Sequence, residues 1–205
     1  MSKVKMSKKA TSIDMTAMCD VAFLLLTFFI LTATAKQPEP LQVDTPSSTV
    51  QTKLPDTDLA IITIGKKGTV FFGVKGPDVR RKTLENMASK MKMSFTADEI
   101  ASFGLMDGFG VPINQLSGLL KMKSADRNAE GLQKGIPHDS IDNQLKEWVY
   151  AARSANAELH DKPLQFAIKG DAKEEYPAIK KVMDILQDQE VNKFNLITGL
   201  RGADF

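Results

Sequence analysis

One acidic residue, Asp20, lies inside a membrane-length apolar segment that runs from Ile13 to Ala35. As a helix, residues 15–35 would cover roughly 31 Å, about the thickness of the hydrocarbon layer of a bilayer. The part after Asp20 would cover only about 22 Å, so a spanning helix must place Asp20 within the bilayer. Insertion of a charged Asp costs about 2.5–3.5 kcal/mol, and such residues usually face a protein partner or a water-filled path. Asp20 is therefore the candidate functional residue.

Three threonines lie on the same side of the predicted helix as Asp20. At 100° per residue, Thr16, Thr27 and Thr34 fall within about 40° of the carboxylate. Their hydroxyls can supply hydrogen bonds along a polar path beside the carboxylate. Each can instead bond a backbone carbonyl one turn back, as threonines in membrane helices often do. The sequence leaves both interpretations open.

The same N-terminal layout also fits a cleaved secretory signal peptide. Four lysines precede the apolar run, which ends in an A-x-A pattern at Ala33-Thr34-Ala35. A retained anchor is favoured, because an acidic residue at the start of the apolar core is unusual in a signal peptide. In either case the lysine-rich tail, residues 1–12, is expected in the cytoplasm, with the chain after Ala35 exported.

The composition of the rest predicts one modest domain without a nucleic-acid surface. The chain has 205 residues, of which 42% are hydrophobic and 25% charged. The first 35 residues hold four Lys and two Asp, so 23 basic and 23 acidic residues remain beyond them. A balanced charge does not favour nucleic-acid binding. The single cysteine, Cys19, lies in the apolar segment, so no disulfide is expected in the exported domain.

No pattern in the chain predicts an enzyme. The two histidines, His138 and His160, are far apart and suggest neither a metal site nor a catalytic base. Nucleophile elbow, P-loop and Rossmann glycine patterns do not occur. We therefore expect no cofactor and no metal.

Residues 36–58 predict a flexible linker, because four of the nine prolines fall there among Ser, Thr and Gln. Fully extended, it would reach roughly 70 Å and hold a domain clear of the membrane. Within it, Leu41-Gln42-Val43-Asp44 alternates like a short strand. Together with Thr45 this segment could pair with the edge of a folded domain, for example that of a second protomer. A fully flexible tether is the alternative.

Residues 59–205 predict an α+β domain with helices packed on one face of a sheet of mainly short strands. The predicted elements are a hairpin over 59–73, a helix over 80–93, a helix from Asp139 or Ser140 to about Ala157, a strand after Pro163, a helix opening at Pro177 and a strand over 194–198. An insertion at about 94–137 interrupts this order. In it Thr96 and Glu99 form a predicted capping box, and residues 112–122 a predicted helix.

Both ends of the chain resemble the ExbD/TolR family. Near the start, Ile13, Thr16, Asp20 and Val21 match the family's membrane motif at its spacing, while Ser12, Asp14 and Ala17 depart from it. Near the end, the chain matches the family's C-terminal signature, in which a strand is followed by a helix. The matching residues are Gly170, Asp171, Tyr176 and Val182-Met183-Asp184.

This resemblance implies a subunit of a proton-driven inner-membrane motor, in which Asp20 carries the proton. It further implies a polytopic ring partner of the ExbB/TolQ type around a homodimer of this chain, and a TonB-like transducer for transport across the outer membrane. The membrane would be the cell inner membrane, with the domain in the periplasm. Two alternatives remain: a TolR-like subunit that tethers the envelope or cell wall, and a membrane-anchored binding domain that conducts no protons.

Overall fold

The computed structural model describes residues 15–32, 40–41, 43–48, 54–129, 131–139, 142–172 and 176–200. The chain divides into two compact units, Met1–Lys36 and Gln37–Phe205. In the first unit, the described part is one helix, α1 (Met15–Thr32), long and apolar enough to cross a membrane. Its 18 residues correspond to roughly 27 Å.

The second unit is an α+β domain, as the sequence predicts. Its strands are β1 (Ser47–Ser48), β2 (Leu59–Gly65), β3 (Thr69–Val74), β4 (Gln165–Gly170), β5 (Phe194–Ile197) and β6 (Gly199–Leu200). Its helices are α2 (Pro77–Met91), α3 (Ala97–Gly104), α4 (Ile113–Lys121), α5 (Ser124–Arg127), α6 (Gln144–His160) and α7 (Tyr176–Gln187).

Four strands form a mixed sheet in the order β3-β2-β4-β5. β2 and β3 are antiparallel and joined by the short 3-10 turn Lys66–Gly68, which confirms the predicted hairpin. β4 runs parallel to both β2 and β5, because helices connect these strands. Alternation along β2 turns Ala60, Ile62 and Ile64 into the core, where all three are fully buried.

The helices α2, α6 and α7 pack their apolar stripes into the same core as this face of the sheet. Leu84 and Met87 of α2, Trp148 of α6 and Val182 of α7 are fully buried members of that single cluster. The predicted arrangement of helices on one face of the sheet is therefore confirmed.

Two helices begin three or more residues from their predicted starts, and the local sequence explains both. α6 starts at Gln144 and not at Asp139 or Ser140, because the Asn143 side chain caps it by accepting a hydrogen bond from Lys146 N at 3.0 Å. α2 starts at Pro77, three residues before the predicted start, since proline suits the first helical turn.

The insertion is part of the domain core and not an appendage. It holds the predicted capping box at Thr96 and Glu99, the helices α3 and α4, and the short α5, which the sequence did not reveal. Its Phe103 and Phe109 pack against Trp148, with ring centroids at 5.9 and 4.8 Å. Phe109 also pairs with Phe72 in an antiparallel bridge beside β3, so the insertion continues the edge of the sheet.

Candidate functional site

Asp20 is the one acidic or basic residue of α1. It is the sixth residue of the helix, and Thr32 lies about 18 Å further along the axis. Asp20 and the large apolar side chains that follow it are exposed in the single chain, with Leu31 84% exposed. Exposed apolar surface on this scale needs lipid or protein around it, and both disfavour an unpaired carboxylate.

Two threonines of α1, Thr27 and Thr32, each donate a hydrogen bond to a backbone carbonyl one turn back. Thr27 Oγ1 donates to Leu24 O at 2.9 Å, so its hydroxyl has a backbone partner and can still accept a hydrogen bond. Thr32, which lies about 120° away from Asp20 around the helix, donates in the same way to Phe28 O at 2.7 Å. Thr16 lies one turn before Asp20, and Thr34 falls outside the described residues. A role for Thr16, Thr27 and Thr34 in a proton path stays a prediction.

The predicted linker contacts the domain along its described residues. We call residues 40–48 the strap. A side chain at Gly65 would collide with Leu41, whose Cδ2 lies only 2.4 Å from where the Cβ would stand. Further along the strap, Ala172 N donates to Asp44 O at 2.7 Å, and Gly199 N to Pro46 O at 2.9 Å. The strap thus crosses the chain just beyond the ends of β2, β4 and β5.

The strand pairing of the strap differs in position from the prediction. Ser47–Ser48 forms the strand β1, which pairs in parallel with β6 of the same chain. Leu41, Val43, Asp44 and Thr45 are irregular, and Gln42 lies outside the described residues. The reason is that the domain bonds this segment through a single amide, that of Ala172, which donates to Asp44 O, whereas β6 offers a strand edge to Ser47 and Ser48. Pairing of the segment with another protomer stays a prediction.

The end of the linker is fixed by His160, a residue to which the sequence assigned no role. Its Nδ1 bonds the Asp58 carboxylate, and the Asp58 carbonyl accepts from Gln165 N at 2.8 Å. The hydrogen bond with His160 holds the pKa of Asp58 below its ordinary value. Asp58 is the residue immediately before β2. These two bonds connect it to His160 at the end of α6 and to Gln165 at the start of β4.

Arg80 holds the insertion against the hairpin. Its guanidinium donates to the carbonyls of Val74 at 2.8 Å, Gly104 at 3.1 Å and Met106 at 2.5 Å, and it pairs with Asp107 at 3.1 Å. Five donors in a planar fork suit this task, and a lysine could not serve all of these acceptors at once. The sequence places Arg80 in a helix but gives no sign of its partners.

Glu99 performs a second structural task inside the insertion. Its carboxylate accepts from Ser117 Oγ at 2.5 Å and from Thr96 N at 2.8 Å. These hydrogen bonds, with that from Ser117 the stronger cause, hold the pKa of Glu99 below its ordinary value. A buried ionised glutamate therefore joins α3 to α4. Among the described residues, no group of three or more His, Cys, Asp or Glu side chains could hold a metal ion.

A family model described as biopolymer transport protein ExbD/TolR matches residues 6–200 of the chain. The chain belongs to the ExbD/TolR family. The match includes the insertion, which the resemblance at the two ends of the sequence did not cover. Membership implies a membrane-anchored subunit of an energy-transducing system, and members of this family are not enzymes. No curated protein and no solved structure matches the chain.

Proposed function

We propose that this chain is the proton-carrying subunit of an ExbB–ExbD type motor, which uses the proton-motive force to energise TonB-dependent transport across the outer membrane. The observation that carries the proposal is Asp20, the one acidic or basic residue in an otherwise apolar α1 of membrane length. A carboxylate in that position is costly unless a partner or a wet path uses it. No other described cluster of residues offers comparable chemistry.

The motor needs a partner, because a single helix encloses no path for a proton. In lipid alone, Asp20 would lose its hydration without gaining a hydrogen bond. A polytopic ring subunit of the ExbB/TolQ type around a dimer of this chain supplies both a dry wall and access to water. Moving one proton across 100 mV of membrane potential then yields about 2.3 kcal/mol.

The proposed location is the inner membrane, crossed once, with the domain in the periplasm. Lys3, Lys5, Lys8 and Lys9 precede α1, and no acidic residue occurs before Asp14. Positive charge next to an apolar helix holds that end in the cytoplasm. Residues 37–205 would then meet a TonB-like transducer in the periplasm.

Substitution of Asp20 tests the proposal. Asp20→Asn keeps the shape of the side chain and removes its titration, so we expect insertion and assembly with the ring partner but at least a hundredfold loss of energised transport. Asp20→Glu keeps a carboxylate and should retain part of the activity. The measurement is uptake of a TonB-dependent substrate in cells with an intact proton gradient, beside co-purification of the ring partner.

Cys19→Ser is the matched control, because residue 19 is adjacent in sequence and points about 100° away around α1. It should leave uptake unchanged. Normal uptake with Asp20→Asn would overturn the proposal. A tethering subunit of the TolR kind, or an anchored binding domain that conducts no protons, would then be the better account.

A further inference from the structure

The linker enters the folded domain at Asp58, whose backbone has an unusual conformation. Its φ angle is +56°, in the left-handed region that residues other than glycine seldom adopt. Such a conformation persists only where the surrounding structure holds it. Two contacts hold Asp58: the Gln165 amide donates to its carbonyl at 2.8 Å, and His160 Nδ1 bonds its carboxylate. Asp58 is therefore a hinge residue whose conformation depends on these contacts.

The strength of the contact with His160 depends on the charge of the imidazole. An ionised carboxylate can only accept hydrogen bonds, so Nδ1 must donate to Asp58. A charged imidazolium makes this bond roughly twice as strong as a neutral donor would. His160 also lies in the last turn of α6, where the free carbonyls of a helix favour a positive charge. Both effects strengthen the contact when His160 is protonated.

The pair of Asp58 and His160 is partly shielded from solvent. The side chain of Asp58 is 16% exposed and that of His160 is 38% exposed. Thr57 Oγ1 donates to the same carboxylate at 3.2 Å. Asn156, one turn before His160, is fully buried and donates to Lys162 O at 2.9 Å, which fixes the turn after α6. A partly buried pair is screened less than one on the open surface, so its charge state affects the hinge.

His160 is the group near the hinge that changes charge around neutral pH. Histidine is the side chain that ordinarily titrates between about pH 5 and 8, and the chain has two. The other charged side chains on the surrounding elements are Asp56 of the linker, Lys75 after β3, Lys82 of α2, Arg153 and Glu158 of α6, Asp161 and Lys162 after α6, and Glu190 and Lys193 before β5. Among the described residues, none of these lies within ion-pairing distance of Asp58 or His160. Carboxylates, lysines and arginines ordinarily keep their charges over this range.

We infer that Asp58 and His160 form a pH-sensitive clasp, which fixes the linker to the end of α6 in mild acid and releases it as His160 loses its proton. This inference concerns the domain alone and goes beyond the proton-carrying function proposed above. In mild acid the ion pair holds Asp58 in its left-handed conformation. As the pH rises the contact weakens, and Asp58 can turn to a negative φ. The linker then leaves the domain in a different direction.

The clasp also has an acid limit, because it needs the charge of Asp58. The hydrogen bond with His160 holds the pKa of this carboxyl below its ordinary value. Its contribution is therefore present above the ordinary pKa of an aspartate and is lost only as the pH falls through the lowered pKa. A protonated histidine partner acts in the opposite sense, since its contribution is lost as the pH rises. The clasp thus holds between about pH 4 and 6 and opens toward about pH 8.

Hydrogen exchange of the Gln165 amide tests the inference with the full-length chain in detergent. Exchange at about pH 5.5 and about pH 8 is measured by mass spectrometry and divided by the intrinsic rate at each pH. We expect the Gln165 amide to be about fivefold more protected at the lower pH. The Phe109 amide donates to Phe72 O and not to the linker, so it is the internal reference and should show no such difference. Equal protection of the Gln165 amide at both pH values would overturn the inference.

Two histidine variants assign the pH effect to the clasp. His160→Gln keeps a side chain that can donate to Asp58 but removes its titration, so the ratio of protection factors should fall to about one. His138→Gln is the matched control, because His138 contacts Ile136 O at 3.1 Å and, in the described chain, pairs with no carboxylate. It should leave the fivefold ratio unchanged. The same ratio in both variants, whether retained or lost, would refute the role of His160.

Asp58→Asn tests the other half of the clasp. Asparagine tolerates the left-handed backbone conformation, so the hinge keeps its shape while the partner of the imidazolium loses its charge. The ratio for the Gln165 amide should again fall to about one. A ratio that persists in Asp58→Asn would show that the carboxylate is not the partner through which the pH acts, and the clasp would be ruled out.

Discussion

At the scale of single residues, the chain separates a functional carboxylate from structural ones. Asp20 lies in an apolar helix, where its cost indicates a function. Glu99 is also buried, but its hydrogen bonds to Ser117 and Thr96 give this carboxylate a structural role in the domain. The sequence alone marked Asp20 as the candidate functional residue, because a lone charge in a membrane-length apolar segment is visible without a structure. For Glu99, the sequence predicted only the capping box with Thr96. It gave no indication that Ser117 would be a hydrogen-bond partner.

Arg80 was equally hidden from the sequence, since its three carbonyl partners lie up to 26 residues away along the chain. Arg80→Met would keep the aliphatic part and leave the carbonyls of Val74, Gly104 and Met106 without a donor. We expect it to lower the free energy of unfolding of the domain by about 2–4 kcal/mol. Urea denaturation of the detergent-solubilised chain measures this, with fluorescence of the single, fully buried Trp148 as the probe.

Arg81→Met is the control for Arg80. Arg81 is half-exposed and, among the residues that the structure describes, its ion pair is with Asp78, at 3.6 Å on the same helix, so its loss should cost about 0.5 kcal/mol or less. Equal effects of the two substitutions would show that the buried carbonyls do not depend on Arg80.

At the scale of elements, periodicity predicted the main helices and strands. The alternation of Ala60, Ile62 and Ile64 and the spacing of Leu145, Trp148 and Val149 correspond to buried faces of β2 and α6. Periodicity could not predict how the strap docks, because its backbone carbonyls accept hydrogen bonds from the amides of Ala172 and Gly199. Backbone hydrogen bonds place no requirement on the side chains of the strap, so the sequence left a docked segment and a flexible tether open as alternatives.

Leu41 should be the side chain that keeps the strap docked, because it fills the space beside Gly65. Leu41 is half-buried, so Leu41→Ala should weaken docking by about 1.5 kcal/mol, less than a fully buried leucine would. Hydrogen exchange of the Ala172 and Gly199 amides, which donate to the strap, should then accelerate about tenfold. Mass spectrometry of the corresponding peptides measures it.

The amide of Ile136 is an internal reference for this experiment, since it donates to Val70 O and not to the strap. Its exchange should not change in Leu41→Ala. If the Ala172 and Gly199 amides also exchange as in the unsubstituted chain, the strap does not depend on Leu41.

At the scale of the whole molecule, the second unit has one core that the insertion shares with the sheet. The sequence suggested separate helical pieces, because residues 94–137 are punctuated by glycines, among them Gly104, Gly108, Gly110, Gly131 and Gly135. Two of these glycines lie where the insertion packs against the rest of the domain. A side chain at Gly110 would meet the Phe71 ring at 2.4 Å, and Gly104 O accepts from Arg80. Close approach, which no periodicity reveals, joins the insertion to the sheet.

A shared core predicts that the domain unfolds in a single transition, and Phe109 provides the test. Its ring is 2% exposed and lies between Phe72, Phe103 and Trp148. Phe109→Ala should lower the free energy of unfolding by about 3–5 kcal/mol, because it removes buried apolar surface and leaves a cavity. Trp148 fluorescence and protection of the Gln165 amide at the start of β4, measured against urea, should shift together.

Tyr176→Ala is the matched aromatic control, since Tyr176 is 66% exposed and its removal should change the free energy of unfolding by no more than about 0.5 kcal/mol. A Gln165 amide that stays protected while Trp148 fluorescence shifts would mean that the insertion unfolds on its own. Coincident shifts mean instead that the insertion and the sheet unfold as one cooperative unit, as their shared core around Trp148 requires.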